Sequence, residues 1–171
     1  LNLYSDGKNH PLNNLQEIFS NDDRKAVYQY RAKDAVQSLL GLPEAGAQVN
    51  YSGCLMENVQ SLAQAGEWGY TSGWQNNFRT ARGWTTSAGM PRMDITGFTM
   101  NHALSPLISD RMLRRQIEAH RYLYTEMFGS TPGYSKGYWP AECSFSMRNI
   151  KALREEGFEW VVVANSHLAR T

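Results

Sequence analysis

The sequence is poor in cysteine, with two in 171 residues. Cys54 and Cys143 fall in different predicted elements and show no Cys-x-x-Cys spacing. Neither a disulfide-stapled framework nor a zinc site can be built from them, and a reduced, cytoplasmic setting is the expectation. Charge of one sign is equally scarce. Seventeen basic side chains against sixteen acidic ones leave a formal net charge of +1, which gives no electrostatic footing for nucleic acid or an anionic membrane. No run approaches the roughly 18 apolar residues needed to span a bilayer. The opening Leu1-Asn2-Leu3-Tyr4-Ser5-Asp6 lacks the basic-then-apolar layout of a signal peptide, although a Leu at position 1 leaves room for processing. No Gly-rich loop follows a strand and opens a helix, so a nucleotide site is not expected and no cofactor is implied. Internal repeats, low-complexity tracts and linkers are also missing.

What is present is enough to fold. Hydrophobic residues make up 42% and charged residues 19%, so a chain of this length can bury a real core as one unit. Aromatic residues reach 12%, with five Trp and nine Tyr. These side chains either fill that core or offer stacking faces for sugar rings.

Along the chain, the first twenty residues, with Gly7, Pro11 and several Asn, read as loop. Asn21-Asp22-Asp23 then offers a helix start, and a second helical stretch over 34 to 40 ends at Gly41 and Pro43. Ala47-Gln48-Val49-Asn50-Tyr51-Ser52 reads as a strand, followed by a helix with Leu55, Val59 and Leu62 on one face. Residues 66 to 91 show no sustained period and predict a long excursion. Residues 93 to 100 alternate as a strand. Ser109 or Asp110 caps the next helix, whose apolar face carries Leu113, Ile117, His120, Tyr124 and Phe128, and Gly129 ends it. A short strand at 136 to 139, a helix capped by Ser144 or Ser146 and stopped at Gly157, and a final strand, Trp160-Val161-Val162-Val163-Ala164, complete the order. That last strand is apolar on both faces, as expected in a parallel sheet covered on both sides. The fold class is therefore α/β with parallel strands. About four strands are visible where a closed (β/α) barrel has eight, so the sheet is either open or part of a barrel.

The chemistry-bearing segment is Gly137-Tyr138-Trp139-Pro140-Ala141-Glu142-Cys143-Ser144-Phe145, which puts a carboxylate just past a strand end. Barrel active sites are built at that end, and a Trp and a Pro beside the acid would fix it for attack on an anomeric carbon. The plain alternative is an acid near a helix N-terminus, where the macrodipole favours it by up to about 1 kcal/mol. Spacing alone does not choose between them.

The segment resembles the motif of Trp-x-Pro-Glu-Cys type around the nucleophile of glycoside hydrolase family 57. Four further stretches resemble that family in the same order. They are Tyr51-Ser52-Gly53-Cys54-Leu55-Met56-Glu57, Asn101-His102-Ala103-Leu104-Ser105-Pro106-Leu107-Ile108, Phe128-Gly129-Ser130-Thr131-Pro132-Gly133 and Gly157-Phe158-Glu159-Trp160-Val161-Val162-Val163. The resemblance covers roughly residues 47 to 168. It implies a single partial catalytic domain over residues 1 to 171, part of a (β/α) barrel. The implied activity is that of a retaining glycoside hydrolase or glycosyl-transferring enzyme on α-glucan-like saccharides. It makes Glu142 the catalytic nucleophile and His102, Trp139 and His167 substrate-binding residues, with no metal. Glu142, His102 and His167 should then gather at the C-terminal ends of the strands.

The chain also departs from the family pattern. Pro140 lies one place earlier than usual, Asn9-His10-Pro11 only weakly resembles the first His-Gln-Pro strand, and no Asp follows Ala164-Asn165. The family's acid/base Asp falls beyond Thr171, so the fragment alone is expected to be inactive. For His102 the alternative is a histidine closing a loop, whereas His120, on an apolar helix face, is expected to be a core histidine. A polysaccharide deacetylase-like barrel would need an Asp pair and a His-x-x-x-His pair, and both are missing. A non-catalytic carbohydrate-binding or scaffolding remnant would bind sugar without Glu142. Carbohydrate is thus the expected partner, and unpaired sheet edges predict self-association or docking of other segments of the same protein.

Overall fold

The computed structural model describes the backbone of residues 2–5 and 8–11 and all atoms of residues 14–165. The chain opens with an antiparallel pair, β1 (Asn2–Ser5) and β2 (Lys8–Pro11), in place of the expected loop. After α1 (Leu15–Ser20), Asn21 accepts a hydrogen bond from the Arg24 amide at 3.0 Å and starts α2 (Asp22–Ala26). The chain runs on through a wide π-type turn, Val27–Arg31, into α3 (Ala32–Ser38), so the two expected helices are one continuous run.

Four short strands form the frame: β3 (Ala47–Val49), β4 (Met93–Ile95), β5 (Gly137–Tyr138) and β6 (Trp160–Val161). Pairing of β3 with β4 and of β5 with β6 is parallel. A parallel bridge between Gly97 and Tyr138 joins the two halves, with Gly97 donating to the Gly137 carbonyl at 2.8 Å and Trp139 to the Gly97 carbonyl at 2.9 Å. Strands therefore lie in the order in which they occur in the sequence. A Cβ on Gly137 would run into the Trp160 indole, so the close approach of β6 requires glycine there.

Crossovers are helical. Ser52 caps α4 (Gly53–Ala65), which buries Met56, Val59 and Ala63. This stripe is displaced from the expected one, and Leu55 and Leu62 are only partly buried against the same core. The stretch expected to be irregular contains α5 (Gln75–Arg82), burying Phe78, Ala81 and Arg82. Its period escapes notice because one of its inward positions is a charged residue. Ser109 caps α6 (Asp110–Phe128), whose five expected inward residues are all buried, and Gly129 follows at φ 84°. Helix α7 (Asn149–Glu155) starts later than expected and has no side-chain cap.

Met93, Ile95, Tyr124 and Phe128 join residues of α3, α4 and α5 in one core, while Leu113, Ile117, Tyr138, Leu153 and Phe158 form a second. Since α6 contributes to both, it ties the two halves of the sheet together. The expectation of a last strand covered on both faces is corrected. Trp160 is 37% exposed and the following valines are partly so, because among the described residues β6 has a neighbour on one side only. No helix of the described residues is long and apolar enough to cross a membrane.

Candidate active site

The end of β5 leads directly into the site. Trp139 is held to the sheet through its amide, and Pro140 opens a single 3-10 turn, Ala141–Cys143, closed by the Ser144 amide and hydroxyl on the Ala141 carbonyl at 2.9 and 2.6 Å. Ala141 is buried and Glu142 stands out from the turn at φ 53° and ψ 29°. Cys143 also has φ 53°. Left-handed backbone at a residue other than glycine costs on the order of 1 kcal/mol or more and tends to gather at functional sites.

The second segment follows β4. Met100 and Asn101 donate their amides to Gln116 of α6, through its backbone and side-chain oxygens at 3.1 and 2.8 Å. His102 comes next, at φ 54°, with its ring 5.2 Å from that of Phe98. Its Nε2 lies 2.9 Å from Glu142 Oε1. A carboxylate can only accept, so the imidazole donates. Two left-handed residues from segments 40 positions apart thus present side chains to each other at the C-terminal ends of adjacent parallel strands. The His102 side chain is 47% exposed and that of Glu142 74%, so the pair faces open space, and the carboxylate keeps a second oxygen beside the one that accepts from His102.

Trp139 belongs to the same end of the sheet but faces a cavity of about 450 Å³ shared with Arg31, Gln48, Asn50 and Thr96. His167 lies outside the described residues. His120 is a core histidine, as its helix face implies. It is fully buried, its Nε2–H donates to the Tyr51 carbonyl at 2.7 Å, and its Nδ1 therefore accepts from the Tyr134 hydroxyl at 2.7 Å. Burial, the dominant cause, pushes its pKa down to about 4. Tyr134 in turn accepts the Phe98 amide at 3.4 Å, so this buried chain supports the ring on which His102 rests.

A larger cavity, about 780 Å³, lies at the opposite ends of the strands, where Arg82, Asp94, Tyr124, Ser135, Lys136 and Trp160 meet. It contains neither Glu142 nor His102. Burial raises the pKa of Asp94, partly offset by a 2.8 Å bond from Ser135 and by the nearby Arg82 guanidinium. Sequence reasoning did not single out Ser105, Tyr138 or Asn149, which hold the His102 segment from below. Ser105 and Tyr138 fall in the stretches that carry His102 and Glu142, and that placement was their signal, whereas Asn149 had none. Among the described residues no group of three or more His, Cys, Asp or Glu side chains could hold a metal ion.

The model of Glycosyl hydrolase family 57 matches residues 13–169. The chain belongs to glycosyl hydrolase family 57. An alpha-amylase from Niallia circulans is 31% identical over 139 residues, which take in 75% of this chain and 10% of that protein. A 4-alpha-glucanotransferase from Thermococcus litoralis has a similar fold, with a TM-score of 0.59 at 21% identity over 87% of this chain and 21% of that one. This family 57 chain thus spans about a tenth of the length of the curated relative and about a fifth of the solved one.

Proposed function

We propose that this family 57 chain is the nucleophile-bearing part of a catalytic (β/α) barrel in a retaining enzyme acting on α-glucans, with Glu142 as the nucleophile. The observation that carries the proposal is the 2.9 Å contact between His102 and Glu142, made by two left-handed residues at the C-terminal ends of neighbouring parallel strands. The names of the two relatives, an alpha-amylase and a 4-alpha-glucanotransferase, support α-glucan as the substrate class.

In the proposed reaction one Glu142 oxygen attacks the anomeric carbon while the bond from that carbon to the leaving oxygen breaks. The electron pair goes to the leaving oxygen, which takes a proton from a second carboxyl group. Water, or the hydroxyl of another glucan, then attacks the anomeric carbon and gives its proton to that second group, now a carboxylate, as the bond to Glu142 breaks and the electron pair returns to Glu142; two inversions retain configuration. His102 holds one carboxylate oxygen, which turns the other toward the sugar, and Trp139 offers a ring face for stacking. The second carboxyl must stand about 5 to 5.5 Å away. Among the described residues the hydrogen-bond partner of the Glu142 carboxylate is His102, not a second carboxyl group, so we assign the acid/base to a segment outside the described residues, along with the walls that exclude water.

Glu142→Gln in the full-length protein tests the proposal. Shape is kept and the attacking charge removed, so kcat on maltoheptaose should fall by roughly a thousandfold or more, with the melting temperature little changed. Products of the parent should keep the α-configuration by NMR. Near-parental turnover in the Gln variant would remove Glu142 from the mechanism, and sugar binding without any turnover in the parent would favour a non-catalytic remnant.

A further inference from the structure

The contact between His102 and Glu142 joins two segments that neither side chain can hold in place, since both are largely open to solvent. Their left-handed backbones are unfavourable in isolation, so the restraint has to come from elsewhere. It comes from beneath. Ser105, three residues after His102, is fully enclosed, and its Oγ lies 2.7 Å from the hydroxyl of Tyr138. Tyr138 is the last residue of β5, four before Glu142, and its ring is packed with Leu113, Ile117 and Phe158. Asn149, buried in the first turn of α7, donates to the Ser105 carbonyl at 3.2 Å. Arg148 donates to the carbonyls of Pro106 and Ile108 at 3.0 and 2.6 Å. The segment that carries His102 is therefore gripped by residues on both sides of Glu142 in sequence.

We infer that Ser105 and Tyr138 are positioning residues, whose buried hydroxyl pair fixes His102 against Glu142 and so orients the attacking carboxylate. The inference rests on the proposed role of Glu142. Stability alone gives little reason for such a pair, because replacing both partners of a buried hydrogen bond with apolar groups is close to neutral. An apolar contact at the same place would fill the volume without fixing a distance between Ser105 and Tyr138, while the bonds from Arg148 and Asn149 and those to Gln116 hold the segment only at other points. The hydroxyl pair adds direction. Its fixed length sets how far residues 101 to 108 stand from the end of β5, and that distance sets the reach of the His102 ring to Glu142.

Ser105→Ala, Tyr138→Phe and the double variant, made in the full-length protein, separate positioning from folding. Each single change orphans a buried hydroxyl and should lower the midpoint of urea unfolding, whereas the double change should restore it. Turnover should behave differently. All three variants should lose about ten- to a hundredfold in kcat on maltoheptaose with KM within about twofold. They should also react equally slowly with a fluorinated glucosyl fluoride, which forms an ester bond from the Glu142 oxygen to its anomeric carbon as fluoride departs with the bonding pair. Because the two hydroxyls act as one unit, the double variant should be no worse than either single. Should kcat and labelling return to parental values in the double variant together with stability, the pair is structural and the inference falls. Where a single variant fails to fold, the double decides by itself. Parental turnover in Glu142→Gln would instead bring down the nucleophile assignment, and the inference with it. Loss of turnover in Glu142→Gln beside a fully active double variant would sink the positioning role alone.

Discussion

At the scale of single residues, His120 gives the clearest link between burial and a measurable consequence. Its pKa lies near 4 in the folded chain against an ordinary value of 6.5. Between those values the unfolded chain takes up a proton that the folded chain refuses, so stability falls as pH drops from 6.5 and the loss levels off near pH 4. Above pH 6.5 both states are neutral at this site and it contributes no slope. A loss of about 1.4 kcal/mol per pH unit is expected in that window. The groups around it are Tyr134, the Tyr51 carbonyl, Arg121 and Tyr124, and Arg121 further disfavours the proton. His120→Gln can donate to the same carbonyl and accept the same hydroxyl without titrating. Urea midpoints at pH 7 and pH 5 should therefore drop less for the Gln variant than for the parent, and equal drops would mean that His120 is protonated in the fold. The place of His120 was legible in the sequence because Leu113, Ile117, Tyr124 and Phe128 share its helix face. That of Glu142 was legible from a motif, and its 2.9 Å contact with His102 follows the expected grouping. The left-handed backbone at both residues was not legible, since no local preference asks for it and only the packing around the two turns imposes it.

At the scale of elements, the sequence is most informative where one helix buries one apolar stripe, as in α6, and least where a helix faces inward with a charge. Helix α5 is the case in point. Arg82 closes it, buried, with its guanidinium 4.8 Å from the Tyr124 ring centroid and its nitrogens donating to the carbonyls of Phe128, Gly129, Pro132 and Gly133. A residue counted as polar thus acts as the staple between α5, the end of α6 and the segment leading into β5. The loop after α6 has no regular ladder to satisfy its carbonyls, and a planar fork with several donors meets that need in a way an ammonium cannot. Burial lowers the pKa of Arg82 while Tyr124 and Asp94 raise it, and it stays charged. Arg82→Met should cost about 2 to 4 kcal/mol, because it leaves the buried Phe128 carbonyl and the partly buried ones of Gly129 and Pro132 without their donor. Arg82→Lys keeps the charge and should still lose at least about half of that. Chemical denaturation of both variants checks this, and a Lys variant as stable as the parent would show that charge, and not the fork, holds the loop.

At the scale of the whole molecule, the arrangement of the sheet says more than its size. Strands β3 to β6 lie side by side in sequence order, and the helices pack on the face that carries Met93, Ile95 and Tyr138. Right-handed crossovers that never reverse direction keep all helices on one face, which is how a barrel is wound, whereas a doubly wound sheet switches direction and covers both. The opposite face carries Asp94 and Gln48, which line the large cavity at the strand starts. In the barrel proposed above, that face is the interior and both sheet edges have partners. The 171-residue chain by itself leaves those edges unpaired among its described residues, which favours edge-to-edge association. Gln48 allows this to be tested at one atom. In β3 the Ala47 amide donates to the Arg92 carbonyl at 2.7 Å and the Val49 carbonyl accepts from Thr96 at 2.9 Å. Residues of a parallel strand alternate between their two neighbours, so the amide of Gln48 points to the free edge. Proline there removes an outward donor and spares the ladder to β4. Gln48→Pro in the isolated chain should shift sedimentation toward monomer, while the same change in the full-length protein should cost about 1 to 3 kcal/mol because a neighbouring strand loses its partner. If the full-length variant is as stable as its parent, the edge at β3 has no neighbour and the barrel is not closed on that side.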